Sequence, residues 1–124
     1  PINEVSMSSK KILLVDDDEC LRESFKLILA EAGFDILEAP DGKNALKILQ
    51  THPFDAVILD DNLPFIQGSE LLGLIRIQNP QIKIIIMSGL FNAEGIRRIK
   101  QQCADLVLEK PFDLNVIIDY LKNQ

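Results

Sequence analysis

Five short apolar runs alternate with five amphipathic stretches along this chain, and that alternation restricts the fold more than any single motif does. The runs are Lys11–Val15, Phe34–Ala39, Ala56–Leu59, Ile82–Met87 and Ala104–Leu108. A short apolar run closed by a turn signal reads as a strand buried on both faces, the usual state inside a parallel sheet. Strict repetition of strand and helix demands such a sheet, with right-handed crossovers. The first, third and fourth runs are the most apolar and belong in the middle. The second alternates polar and apolar residues (Phe34, Asp35, Ile36, Leu37, Glu38), and the fifth is flanked by Asp105 and Glu109, so both suit edges.

Strand order 2-1-3-4-5 satisfies these demands and predicts a flavodoxin-like (βα)5 fold, an α/β doubly wound five-stranded parallel sheet. The first helix carries Leu21, Phe25, Ile28 and Ala32 on one face and stops at Gly33. Asp41-Gly42 opens the second, with Ala45, Leu46 and Leu49 inward, and His52-Pro53 ends it. Gly68-Ser69-Glu70 starts the third, with Leu71, Leu74 and Ile75 inward, and Asn79-Pro80 ends it. A fourth helix begins near Asn92 with Ile96, Ile99 and Cys103 on one face. Asp113 caps the fifth, which turns Leu114, Ile117, Ile118 and Leu121 inward.

A length of 124 residues, 47% hydrophobic and 26% charged, suits one folded domain that needs no staples. Residues 1–9 are small and polar and are set apart as a disordered N-terminal segment, leaving 10–124 as the domain. Pro1–Ser6 can be read as native sequence or as an expression scar ahead of a start at Met7. The formal net charge of −6 argues against direct contact with nucleic acid or an anionic membrane. Cys20 and Cys103 have no metal-like spacing and read as unpaired thiols, His52 as a surface-loop residue, and the whole as cytoplasmic.

The chemistry collects at the strand ends. Ala56-Val57-Ile58-Leu59 runs straight into Asp60-Asp61 and closes at Pro64, so Asp60 surfaces at the carboxyl edge of a central strand, where ligands bind in open α/β sheets. Neighbours on a strand point to opposite faces, so Asp60 and Asp61 cannot serve one pocket, and Asp60 is the candidate. The first strand ends in Asp16-Asp17-Asp18-Glu19. Helix capping by Asp17 or Asp18 and a helix-dipole contact from Glu19 explain two of these acids and leave the others over. With the first and third strands adjacent, Asp16, Asp17 and Asp60 converge. Carboxylates about 4 Å apart repel by roughly 1 kcal/mol in water and about 4 kcal/mol at an effective dielectric of 20, so three of them call for a cation. An all-oxygen site suits Mg²⁺, with Mn²⁺ as the alternative. The Ser88 hydroxyl and Lys110 ammonium reach the same rim. Around one carboxylate this set would stabilise a phosphoryl group in transfer, with Asp60 as nucleophile.

The sequence resembles the receiver domains of two-component response regulators over residues 10 to 123. The resemblance rests on Leu14-Val15-Asp16-Asp17-Asp18, Leu59-Asp60 with Pro64 and Gly68 following, Met87-Ser88-Gly89 and Lys110-Pro111-Phe112. It implies that Asp60 accepts a phosphoryl group from a histidine-kinase phosphohistidine, a phosphotransfer protein or a small phosphodonor. It implies that Asp16 and Asp17 bind Mg²⁺, Asp17 most directly, with Asp60 and the backbone carbonyl of Asn62. Ser88 would bond a phosphoryl oxygen as the switch hydroxyl, and Lys110 would pair with the phosphoryl group. It also implies a cis Lys110-Pro111 bond, where the intrinsic preference is trans.

Three positions depart from the family pattern. Gln67 stands where an acid commonly precedes the glycine, Val107 where the switch aromatic usually lies, and Leu90 where polar residues are frequent. Without a ring at Val107, the signal is expected to run through Ser88 and the loop after the fourth strand to an output domain or downstream protein. Two other classes fit less well. A pseudo-receiver, acting only as an interaction module, is expected to lack Asp60, Lys110 or an acid, and all are present. A phosphohydrolase with an aspartate nucleophile places an acid two residues on, where Asn62 stands. A dinucleotide fold is excluded because acids, not glycines, fill the turn after the first strand. The partners this implies are a sensor histidine kinase or phosphotransfer protein and an output domain or downstream protein, with a homodimer as an open alternative to a single copy.

Overall fold

The computed structural model describes residues 9–89 and 104–124 of the chain. Nine elements lie within them: β1 (Lys11–Val15), α1 (Glu19–Glu31), β2 (Asp35–Ala39), α2 (Gly42–Thr51), β3 (Ala56–Asp60), α3 (Gly68–Gln78), β4 (Lys83–Ser88), β5 (Leu106–Glu109) and α4 (Asn115–Lys122). The five strands form one sheet in the order β2-β1-β3-β4-β5, every neighbouring pair parallel. This is the expected topology, with strand limits displaced by a residue or two. The expected fourth helix, with Asn92, Ile96, Ile99 and Cys103, lies outside the described residues, as do Leu90 and residues 1–8.

Alternation along the strands sorts the core into two layers. Leu13, Val15, Val57, Leu59, Ile84 and Ile86 face Ala45 and Leu49 of α2 and Leu71, Leu72 and Ile75 of α3. Ile12, Leu14, Ile58, Ile85 and Met87 face Leu29 of α1 and Ile117, Ile118 and Leu121 of α4. Each fully buried aliphatic side chain contributes roughly 1.5–3 kcal/mol relative to exposure, which is why the three central strands carry almost no polar residue before their ends. Both edge strands are less buried, as their sequences require.

Two helix faces differ from those expected. On α1 the buried residue is Leu29, with Phe25 and Ala32 packed beside it, while Ile28 is exposed. Spacing of four and three from Phe25 to Leu29 to Ala32 forms a continuous stripe, and Ile28 falls one residue off it. On α3, Leu72 is buried and Leu74 is exposed, for the same reason. The ends follow the signals read from sequence. Asp18 and Asp41 cap α1 and α2 through Leu21 N and Asn44 N. At α4 the expected cap is displaced: Leu114 is the N-cap with no side-chain cap bond, and Asp113 Oδ1 instead accepts from Asn115 N, 2.9 Å away. Gly33 takes φ 101°, which a side chain rarely allows, as the chain leaves α1. At the far edge, Arg76 of α3 reaches Asp105 at 2.8 Å, and the same Asp105 oxygen accepts from Ile84 N, joining β5 to the layer below.

Candidate functional site

The central strands all end at one rim, and their last residues form the site. Asp16 and Asp60 continue the parity of Leu14 and Ile58, so both turn to the α1/α4 side of the sheet. Asp60 is 5% exposed and Asp16 is fully buried, while Asp17, at the start of the loop, is exposed. One carboxylate oxygen from each of Asp16, Asp17 and Asp60 can be chosen so that all lie within 4.8 Å of one another. The expected convergence is present.

Each neighbour of these acids has an identifiable role. Lys110 Nζ donates to Asp60 Oδ2 at 3.0 Å, and Asn62 N donates to Asp60 Oδ1 at 3.1 Å. Ser88, 2% exposed, ends β4 beside Glu109, and its carbonyl accepts from Lys110 N at 2.8 Å. That bond ties the switch-hydroxyl candidate to the lysine candidate. Asn62 is exposed, directly beyond Asp60. The Lys110-Pro111 bond is cis, as the family resemblance implied and against the intrinsic preference. Phe112 then packs edge-on against Phe25 of α1, with ring centroids 6.4 Å apart. Beside Lys110 this leaves a cavity of about 240 Å³ lined by Leu21, Phe25, Met87, Lys110, Pro111 and Phe112.

Electrostatics mark Asp16. Its Oδ1 accepts from Asp18 N at 2.9 Å, while its buried Oδ2 has no hydrogen-bond partner among the described residues. Burial pushes its carboxyl up to about 6, with Asp60 and Asp17 adding to the rise and the Asp18 N–H and Lys110 opposing it. A buried acid with one unpartnered oxygen, clustered with two other carboxylates, is the donor set that a hard divalent cation takes, so these residues fit Mg²⁺.

Several contacts were not read from the sequence. Arg22 donates to the Asp16 carbonyl at 2.6 Å and pairs with Glu38 at 3.3 Å, holding the acid loop against β2. Asp61, with the parity of Leu59, turns to the α2/α3 side, where its Oδ1 accepts from Ser69 N at 3.0 Å. A signal for this was present: Gln67 precedes α3 and makes no side-chain cap, so the helix needed an acceptor from elsewhere. Phe65 has φ 68° and is fully exposed, with Ile66 N donating to Pro64 O at 2.7 Å across it. His52 sits at the exposed end of α2 against Thr51, as expected of a surface residue.

A parallel sheet in this order, with three acids at the switch point, a lysine bonded to one of them and a serine ending β4, is the arrangement of a phospho-accepting switch. Residues 12–122 match the response regulator receiver domain, and the chain belongs to that family. The sequence is 31% identical to sporulation initiation phosphotransferase F of Bacillus subtilis, over 94% of each chain. It is 33% identical to the response regulator protein FleR of Pseudomonas aeruginosa, over 88% of this chain but 23% of that protein. It therefore spans about a quarter of some of the relatives it matches. Among solved structures, a CheY-like receiver domain protein from Methanospirillum hungatei superposes with a TM-score of 0.88 at 28% identity, over 94% of this chain and 93% of that one. The response regulator TrrA from Thermotoga maritima, in complex with Mg(2+)-BeF, gives 0.82 at 33% identity, covering 92% and 97%. Receiver domains are in general switches rather than enzymes, and they work with histidine kinases, phosphotransfer proteins and output domains. No helix among the described residues is long and apolar enough to cross a membrane.

Proposed function

We propose that residues 10–124 form a receiver that takes a phosphoryl group on Asp60 from a phosphohistidine of a sensor kinase or phosphotransfer protein, in the cytoplasm. The observation that carries this is the seat of Asp60: nearly buried, bonded to Lys110 at 3.0 Å, and within reach of Asp16 and Asp17. A carboxylate oxygen of Asp60 forms the new O–P bond as the P–N bond of the donor breaks, and the electron pair leaves with the imidazole. Lys110 balances charge on the phosphoryl oxygens, and Ser88 donates a hydrogen bond to one of them. Asp16, Asp17, Asp60 and the Asn62 carbonyl would hold Mg²⁺, Mn²⁺ serving in its place. When bound, the cation neutralises the acids and draws charge from the transferring group. The domain catalyses its own phosphorylation and dephosphorylation and no other turnover. It touches neither nucleic acid nor membrane itself.

Incubating the protein with a small acyl phosphate and Mg²⁺ should add one phosphoryl mass to the intact chain, and leaving out Mg²⁺ should suppress it. Asp60→Asn should abolish the addition. Equal labelling of that variant would transfer the site to Asp61 or another residue and overturn the assignment.

A further inference from the structure

Asp61 is an acid at the same strand end that the proposed chemistry leaves unused. The strand turns it away from Asp16 and Asp60, and there it is held in three places. Its N–H donates to Met87 O at 2.8 Å, its carbonyl accepts from Gly68 N at 2.9 Å, and its Oδ1 accepts from Ser69 N at 3.0 Å. The first two bonds fasten the backbone between β4 and α3. The third places a carboxylate at the positive end of α3, where the adjoining Gln67 supplies no cap. Gly68 makes the approach this close: a Cβ there would lie 2.5 Å from Asp60 O and 2.6 Å from Asp61 Cα. The peptides on either side of Asp61 belong to Asp60 and Asn62, and Asn62 N bonds Asp60 Oδ1. Their orientation is therefore set by how residue 61 is held.

We propose that Asp61 is a positioning residue for the phospho-acceptor site. By capping α3 from the end of β3, it fixes the Asp60–Asn62 backbone and hence the presentation of Asp60 and Asn62 to a divalent cation. The inference rests on the reading of Asp60 given above. A cap that served the helix alone would change stability and leave cation affinity untouched, so the two roles separate experimentally.

The test is an Mg²⁺ titration of the full chain followed by amide spectra, comparing the parent, Asp61→Ala and Asp61→Asn. Asparagine keeps a side-chain oxygen for Ser69 N and loses the charge. Asp61→Ala should need roughly three- to tenfold more Mg²⁺ for half-saturation, the shift if most of the free energy of one lost cap bond is felt at the cation, and Asp61→Asn should stay within about twofold of the parent. Hydrogen exchange at the Ser69 amide should quicken in the alanine variant and not in the asparagine one. If Asp61→Ala does not fold, Asp61→Val, which also removes the acceptor and suits an extended backbone, makes the comparison. Unchanged Mg²⁺ affinity in a folded alanine or valine variant overturns the proposal, leaving Asp61 a helix cap. An asparagine variant as weak as alanine also overturns it, by assigning the effect to charge. A parent whose spectrum does not respond to Mg²⁺ overturns the acceptor-site reading as well, whereas a responsive parent with unaffected variants overturns the positioning role alone.

Discussion

Directly after Val15 the chain buries a whole carboxylate, with one oxygen on the Asp18 N–H, the other without a hydrogen-bond partner among the described residues, and Asp17 and Asp60 close by. Burial pushes the Asp16 carboxyl up to about 6 from its ordinary 3.8. A folded value above the unfolded one means the native state holds the proton more tightly. Below about pH 4 the group therefore costs nothing, and the penalty grows as pH rises through the interval. Above pH 6 the full cost is present, about 3 kcal/mol at 1.36 kcal/mol per unit. Metal-free protein should thus gain stability from this residue as pH falls from 7 toward 4.5. Asp16→Asn should be the more stable chain at pH 7 and should flatten that part of the curve. Denaturant midpoints for both proteins across the range, with chelator present, give the difference. Parallel curves would remove the burial argument.

At the scale of the element, helix α3 carries two glycines with opposite meanings. Gly68 starts the helix against the Asp60 and Asp61 backbone, while a Cβ on Gly73 would meet nothing within 4 Å. Backbone atoms cannot move aside as a flexible side chain can, so Gly68→Ala must push α3 off the end of β3. Overpacking of this kind costs typically 1–3 kcal/mol, so a loss of about 2 kcal/mol is expected. Gly73→Ala sits inside the same helix with open space and should stabilise by about 0.5–1 kcal/mol, because alanine leaves less backbone freedom to lose. Urea denaturation of the two variants reads both signs. If both substitutions shift stability the same way, close approach at Gly68 is not what distinguishes them.

At the scale of the molecule, the question is how a phosphoryl group on Asp60, as proposed, would be felt elsewhere. Val107 lies beside Ile86 in the sheet, part-buried against the α2/α3 layer, and its β-branch leaves it few χ1 choices. It has no ring to swing inward. Ser88 is joined through its carbonyl to Lys110, so a pull on the hydroxyl is expected to be felt first at the end of β4. Amide spectra with and without a beryllofluoride mimic should change most at residues 88–92 and little in β5 or at Tyr120. Large shifts centred on residues 105–108, with 88–92 quiet, would show that the signal leaves by another route.

The sequence by itself determined the sheet, its strand order and the convergence of the strand-end acids, because those depend on local pattern. Apolar runs of strand length, repeated with helices between them, leave few ways to bury both faces, and the acids at Asp16, Asp17 and Asp60 stand where those runs stop. Period-2 alternation also sent Asp60 and Asp61 to opposite sides, as found. The tertiary structure decided what sequence spacing cannot carry. Which flank of α1 is buried turned on one residue, Leu29 over Ile28, because an apolar stripe of that width leaves the rotation of the helix to its packing partner. The cap of α3 comes from Asp61 across a loop, and the brace on the Asp16 carbonyl from Arg22. These join groups that are distant along the chain or nearly degenerate in local energy, and only the packed fold brings them together and chooses between them.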